Sequence, residues 1–308
     1  MFTLSQQGAF AALTAACCWA VATILFKGMT RDIPPLHLNL MKGFIASVFL
    51  VTAVVFTGHL SDSLPSSTVA LLALSGVIGI ALGDSAYFAA LARLGARKTL
   101  LTESITPPLT AIIALAFLGE CLTANAWTGI LMTVLGVAWV IAERVPNVQG
   151  TEKSSHIEGS TKSGAGFALL AAFCQATGAV LSRKALVSSS IAPIWSALIR
   201  LVAAVFCLMV WIFGVRSLSV WDFCQPLNEG KLRRLLVAVF IGTFVAIWLQ
   251  QVALKLNNAG VAQTMLATSP LFVLPMAPWV GERVTLRAIL GALMAILGVA
   301  VLFGIWAF

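Results

Sequence analysis

The chain has 308 residues, 60% of them hydrophobic and only 10% charged, with a mean hydropathy of +0.99. That leaves far too little polar surface for a water-soluble fold and predicts an all-α integral membrane protein. The net charge of +8 comes with no basic face interleaved with aromatics, so nucleic acid is excluded as a partner and the cations are read as orientation signals.

Apolar runs of about 17 to 23 residues, enough to cross about 30 Å of hydrocarbon, predict ten transmembrane helices. They fall near 8–26, 36–57, 68–91, 99–118, 126–142, 164–182, 193–213, 235–254, 259–280 and 287–306. MFTLSQQ, ahead of the first, has no basic n-region, so this run is expected to stay as a span. The loop after it carries Lys27 and Arg31, and the loop after the sixth carries Arg183 and Lys184. Pro34 and Pro35, then Pro193, start helices two and seven, positions where proline is tolerated. Gly79 and Gly83 form GxxxG in helix three, and Gly129, Gly136, Gly291 and Gly298 stripe helices five and ten. Such stripes pack helices closely or make a weak dimer face, so a monomer or weak homodimer is expected. The polar stretch 143–163 divides the chain into a first unit, 1–145, a linker, 146–163, and a second unit, 164–308.

The two units are copies. Residues 94–138 return at 256–300 with a constant offset of 162 and no gap. Thr102, Thr106, Pro108, Leu109, Gly119, Glu120 and Thr123 recur as Thr264, Thr268, Pro270, Leu271, Gly281, Glu282 and Thr285. Five helices per copy is an odd number, so the copies enter the bilayer from opposite faces, an inverted repeat with its substrate site expected near the midplane. Loops after odd-numbered helices hold 14 Lys and Arg against 3 for the other loops and the termini, which places both termini outside by the positive-inside rule. Trp127, Trp139, Trp195, Trp211 and Trp306 fall near span ends as an interfacial belt, whereas Trp19 and Trp248 lie inside helices one and eight, as packing or as a pocket wall. Six scattered cysteines have no metal or redox spacing and read as small core residues.

Two five-helix halves, each with a proline-containing helix, then GExLT or GExVT, then a glycine-striped helix, resemble the drug/metabolite transporter superfamily and its EamA-type ten-helix transporters. The residues that carry the resemblance are TPPLTAIIALAFLGECLT at 106, TSPLFVLPMAPWVGERVT at 268, ALARLGA at 90, and Lys42 with Arg200. It covers nearly the whole chain and implies a carrier, exporter or facilitator, of small metabolites such as amino acids. The implied cavity is lined mainly by helices 1, 3, 4, 6, 8 and 9, in the inner (plasma) membrane. By family analogy the termini lie inside, opposite to the charge count. Small multidrug relatives use an acid in helix one; residues 8–26 contain none, which argues against proton-driven export of cations by that route.

Lys42, Asp84, Glu103 and Arg200 are the chief ionisable residues within spans, each costing about 2.5 to 3.5 kcal/mol at a helix centre if unpaired. Counting from the helix ends puts Lys42, Asp84 and Glu103 at one level. They form either a structural cluster or a coupling site whose excess acid takes a proton or cation, with Tyr87 on the face of Asp84. The repeat carries Lys42 onto Arg200 but Asp84 onto Ala246 and Glu103 onto Met265. Arg200 is thus expected near the opposite face, beside Gln250, Gln251 and Gln263. There it either binds an anionic substrate group through its donor fork or caps carbonyls and snorkels. Pro107, Pro108 and Pro270, with Pro275 and Pro278 beyond, are expected to break helices four and nine and free a carbonyl one turn earlier, for packing or for a substrate-lining break. Glu120 and Glu282 read as plain helix ends, with Thr123 and Thr285 as N-caps of the next helices.

No ATP-binding loop is present and no cofactor or metal is implied, so energy is expected from a gradient, a proton being the candidate ion. An intramembrane enzyme is disfavoured: HExxH is absent and ALGD at Ala81 falls short of GxGD. A lipid-linked flippase or a passive pore stays open as an alternative.

Overall fold

The computed structural model describes residues 3–26, 29, 33, 35–58, 65–142, 158–215, 229–273, 275 and 286–302, and every element among them is helical. Expectations placed on Lys27, Arg31, Pro34, Pro278, Gly281, Glu282, Thr285 and Trp306, and on most of the polar stretch 143–163, lie outside the described residues.

The first half contains α1 (Leu4–Phe26), α2 (Pro35–Phe56) and α3 (Ser66–Gly76), which runs through a π-helical segment, Val77–Asp84, into α4 (Ser85–Glu103). It ends with α5 (Thr106–Leu118) and α6 (Ala124–Ala142). The second half opens with α7 (Glu158–Val187), which starts inside the stretch read as linker, and α8 (Pro193–Met209), followed by a π segment, Val210–Val215. Then come α9 (Glu229–Val239), a π segment, Phe240–Val245, and α10 (Ala246–Leu256). The chain closes with α11 (Ala259–Leu266), α12 (Ser269–Val273) and α13 (Leu286–Leu302). Among the described residues, eight helices are long and apolar enough to cross a membrane. The described residues of the ninth predicted span form two short helices, α11 and α12, and those of the tenth the 17-residue α13.

The proline breaks lie upstream of where a mid-helix kink would put them. Pro107 and Pro270 have no N–H to offer the carbonyl four residues back, which belongs to Glu103 and Leu266. Those two residues are where α4 and α11 end. The chain then makes a tight turn, Ile105 N donating to Thr102 O (3.1 Å) and Thr268 N to Met265 O (3.2 Å). The hydroxyls of Ser104 and Thr268 reach back to Leu101 O and Met265 O, both at 2.6 Å. Pro107 and Pro108 therefore sit in the first turn of a new helix, a place their fixed φ suits, rather than inside an old one.

The two halves pack by exchange. α1 lies against α10, the segment Phe240–Val245 and α11, while α7 lies against α4, the segment Val77–Asp84 and α5. The offset of 162 carries 240–245 onto 78–83, so both halves widen into π-helix at the same place. α2 with α8, α5 with α11, and α6 with α13 pair the copies directly. Small residues allow these approaches. α1 buries Gly8 and seven alanines, and a Cβ on Gly136 or Gly129 would stand 2.6 or 2.8 Å from Gly291 O or Gly298 O. The glycine stripes thus meet each other within one chain.

Candidate functional site

Three glycines make room for the site where α3 and its π segment cross α7 and α8. A Cβ on Gly76 would overlap the main-chain carbonyl of Arg200, one on Gly178 would stand 2.9 Å from Gly79 Cα, and one on Gly79 would stand 3.4 Å from Arg200 Nη2. The guanidinium of Arg200 occupies the space that these absent side chains leave. Arg200 is only 2% exposed, and its Nε and Nη1 have no hydrogen-bond partner among the described residues. Gly79, which it meets, is halfway along the span Ser66–Leu91.

Asp84, the last residue of the π segment, is the hub. Its Oδ2 accepts from Lys42 Nζ at 2.7 Å and its Oδ1 from Gln175 Nε2 on α7 at 2.8 Å. Lys42 Nζ also lies 5.1 Å from the centroid of the Phe88 ring. Asp84 is within electrostatic reach of Arg200, of Glu103 and of Tyr87. Glu103, at the break between α4 and α5, takes one bond from Thr106 Oγ1 at 3.3 Å on Oε2, while its Oε1 is buried without a hydrogen-bond partner among the described residues. Lys42 and Asp84 are thus paired, with Glu103 and Tyr87 within electrostatic reach of Asp84.

Arg200 was expected without an acidic partner in its own half; Asp84, within its electrostatic reach and held by Lys42, belongs to the other half. Among the described residues no glutamine bonds Arg200 Nε or Nη1. Gln251 Oε1 accepts from Ser196 Oγ at 2.8 Å, one turn before Arg200, and its Nε2 has no partner among the described residues. Gln250 and Gln263 are buried on α10 and α11. Trp19 is a packing residue with a bonded indole: Nε1 donates to Gly242 O at 2.8 Å. Trp248 stacks on Phe244, centroids 6.3 Å apart.

Residue counting overlooked Gln175 and Asn39. An offset of 156 aligns α1 with α7, placing Gly8 on Gly164, Cys18 on Cys174 and Trp19 on Gln175. Each of these side chains donates into or beside the π segment of the other half, Trp19 to Gly242 and Gln175 to Asp84. Ile80 and Gly242 are also equivalent, 162 apart, and both carbonyls take a side-chain N–H, Ile80 O from Asn39 Nδ2 at 3.4 Å. The wider π turn presents these carbonyls sideways. A polar residue in an otherwise alanine-rich apolar run was the available signal.

Glu120 is not a plain helix end. Gly119 closes α5 in the left-handed region (φ +66), and Glu120 then reaches across to the second half. Its Oε1 accepts from Arg183 Nε at 2.7 Å and its Oε2 from Ala259 N at 2.9 Å, capping α11. Arg183 Nη1 in turn donates to Leu254 O and Lys255 O at 2.9 and 2.8 Å.

A model of the EamA-like transporter family matches the chain twice, over residues 6–142 and 162–304. An "Uncharacterized transporter" of Archaeoglobus fulgidus is 25% identical over 293 residues, covering 94% of this chain and 95% of the relative. "Uncharacterized transporter YwfM" of Bacillus subtilis is 29% identical over 159 residues, covering 50% of this chain and 51% of the relative. A solved crystal structure superposes with a TM-score of 0.75 at 16% identity, covering 98% of this chain and 97% of that chain, which supports the fold.

Proposed function

The chain belongs to the EamA-like transporter family, and from that premise we propose that it is a secondary carrier of small carboxylate-bearing metabolites, amino acids foremost. In this reading it is an exporter or facilitator built as two inverted five-helix repeats that rock about a site between them. Arg200 carries the reading: a buried guanidinium with Nε and Nη1 unpartnered among the described residues, in a gap bounded by glycine. A bare buried charge is expensive, and a bidentate carboxylate completes it with the planar fork that arginine offers. Asp84 is occupied by Lys42 and Gln175 and serves as fixed countercharge. The free Oε1 of Glu103 supplies the opposite pole, for the ammonium group of a zwitterion or for a coupling proton. The breaks at 104–105 and 267–268, set by Pro107 and Pro270, are hinges for the motion.

The test is uptake of radiolabelled amino acids into proteoliposomes, with and without a proton gradient, by wild type, Arg200→Ala, Arg200→Lys and Glu103→Gln. Saturable uptake is expected, reduced about 100-fold by Arg200→Ala, since a buried charge partner is worth about 2 to 5 kcal/mol. Arg200→Lys keeps the charge but loses the fork, raising the half-saturation concentration about tenfold. Uptake of neutral or cationic solutes that survives Arg200→Ala and requires the gradient would move the chemistry to Asp84 and Glu103 and make Arg200 structural.

A further inference from the structure

The two ends of the bundle are built differently. At one end, Glu120 of the first half binds three segments of the second: Arg183 at the end of α7, Ala259 N at the start of α11, and, through Arg183, the carbonyls of Leu254 and Lys255 that end α10. Lys255 Nζ ties the same end to Ile191 O at 2.7 Å, and Ser5 Oγ bonds the Asn257 side chain at 2.9 Å. Among the described residues, Glu120–Arg183 is the ion pair that joins the two halves. At the other end of α1, about 35 Å away for a helix of 23 residues, Ile24, Leu25 and Met29 border a cleft of about 330 Å³ with Lys231 and Arg234.

We infer that Glu120 and Arg183 form the latch of a gate, holding the bundle shut on the face of residues 119–123 and 257–258. The inference rests on the reading of the protein as a carrier whose halves rock. Such a motion must part the halves on one face at a time. The bonds that hold this face shut are concentrated on one carboxylate, using both of its oxygens. Gly119 turns the chain here: its left-handed φ takes it off α5, and among the described residues no atom lies within 4 Å of where its Cβ would be. Arg183 also donates to two carbonyls of the second half, Leu254 O and Lys255 O.

Cys174 is a native reporter. It is buried on α7 beside Gly83 and within electrostatic reach of Glu103. With the other cysteines replaced by serine, the full-length protein in proteoliposomes is challenged with an impermeant thiosulfonate from either face. Glu120→Gln keeps the shape but loses the charge on the latch. Glu120→Gln is expected to raise Cys174 modification from the latch face at least about tenfold, the scale of one lost charge-assisted bond in a two-state equilibrium. Modification from the opposite face is expected to fall. Unchanged rates in a folded Glu120→Gln protein would overturn the inference. So would equal acceleration from both faces, which is what general loosening produces. The readout needs no substrate, so it stands or falls separately from the uptake of amino acids.

Discussion

The halves share a scaffold and divide the charges. Each has a π segment in its third predicted span, a break just after the residue whose carbonyl a proline orphans, and an N-terminal helix that donates into the other half's π segment. At the polar positions they part company. Asp84 and Glu103 stand where the second half has Ala246 and Met265, and Gln175 stands where the first has Trp19. What the copies keep is what bends and packs, and what the first half alone has is the pair of acids Asp84 and Glu103. The difference teaches that the breaks and small residues are needed in both halves and these buried carboxylates in one.

That contrast can be broken in four places. The largest effect is expected at Gly76, whose counterpart 162 residues on is Ala238. Gly76→Ala forces a Cβ into the Arg200 carbonyl and should cost about 3 kcal/mol or more, whereas Ala238→Gly should cost about 1 kcal/mol, as an ordinary helix glycine does. Thermal unfolding in detergent compares them, and equal losses would show that the crossing is not as close as described. Next, Asp84→Asn leaves Lys42 without its anion and should cost about 2 to 3 kcal/mol, while the double change with Lys42→Met should recover much of that. A double-mutant cycle on unfolding midpoints checks the pair; additive losses would mean that the contact is idle.

Pro107→Ala with Pro108→Ala, and separately Pro270→Ala, should each let a helix run on through its break. If the breaks are hinges, each should slow transport about tenfold while leaving substrate binding within about twofold. Slowed transport in one half alone would confine the hinge to that half. The smallest effect is expected for Trp19→Phe, which removes the indole N–H from Gly242 O and should cost about 1 kcal/mol, against a larger loss for Gln175→Leu, which strips a bond from the carboxyl group that Lys42 holds. Equal losses would argue that Asp84 is satisfied by Lys42 alone.

Much of the site was legible in order but not in space. Counting residues from span ends placed Lys42, Asp84 and Glu103 on one level because helical rise is constant, and the Lys42–Asp84 pair follows. The contacts of Arg200 were not legible, because counting within one helix fixes depth but not azimuth or side-chain reach. Three glycines, Gly76, Gly79 and Gly178, let α8 approach so closely that a long guanidinium crosses to the first half. Glu120 looked ordinary for a similar reason: its partners, Arg183 and Ala259, lie 63 and 139 residues away.

The sequence by itself determined the membrane class, the doubling of the unit, the placing of most spans and the family. These follow from composition, periodicity and repetition, which are local or register-bound properties. Tertiary structure alone decided that the third predicted spans widen into π-helix, that Asp84 is shared between halves, that Arg200 keeps two donors unpartnered among the described residues, and that Glu120 joins Arg183 and Ala259 of the other half. Each depends on which backbones can touch, and that is set by the mutual fit of small residues on helices far apart in the chain.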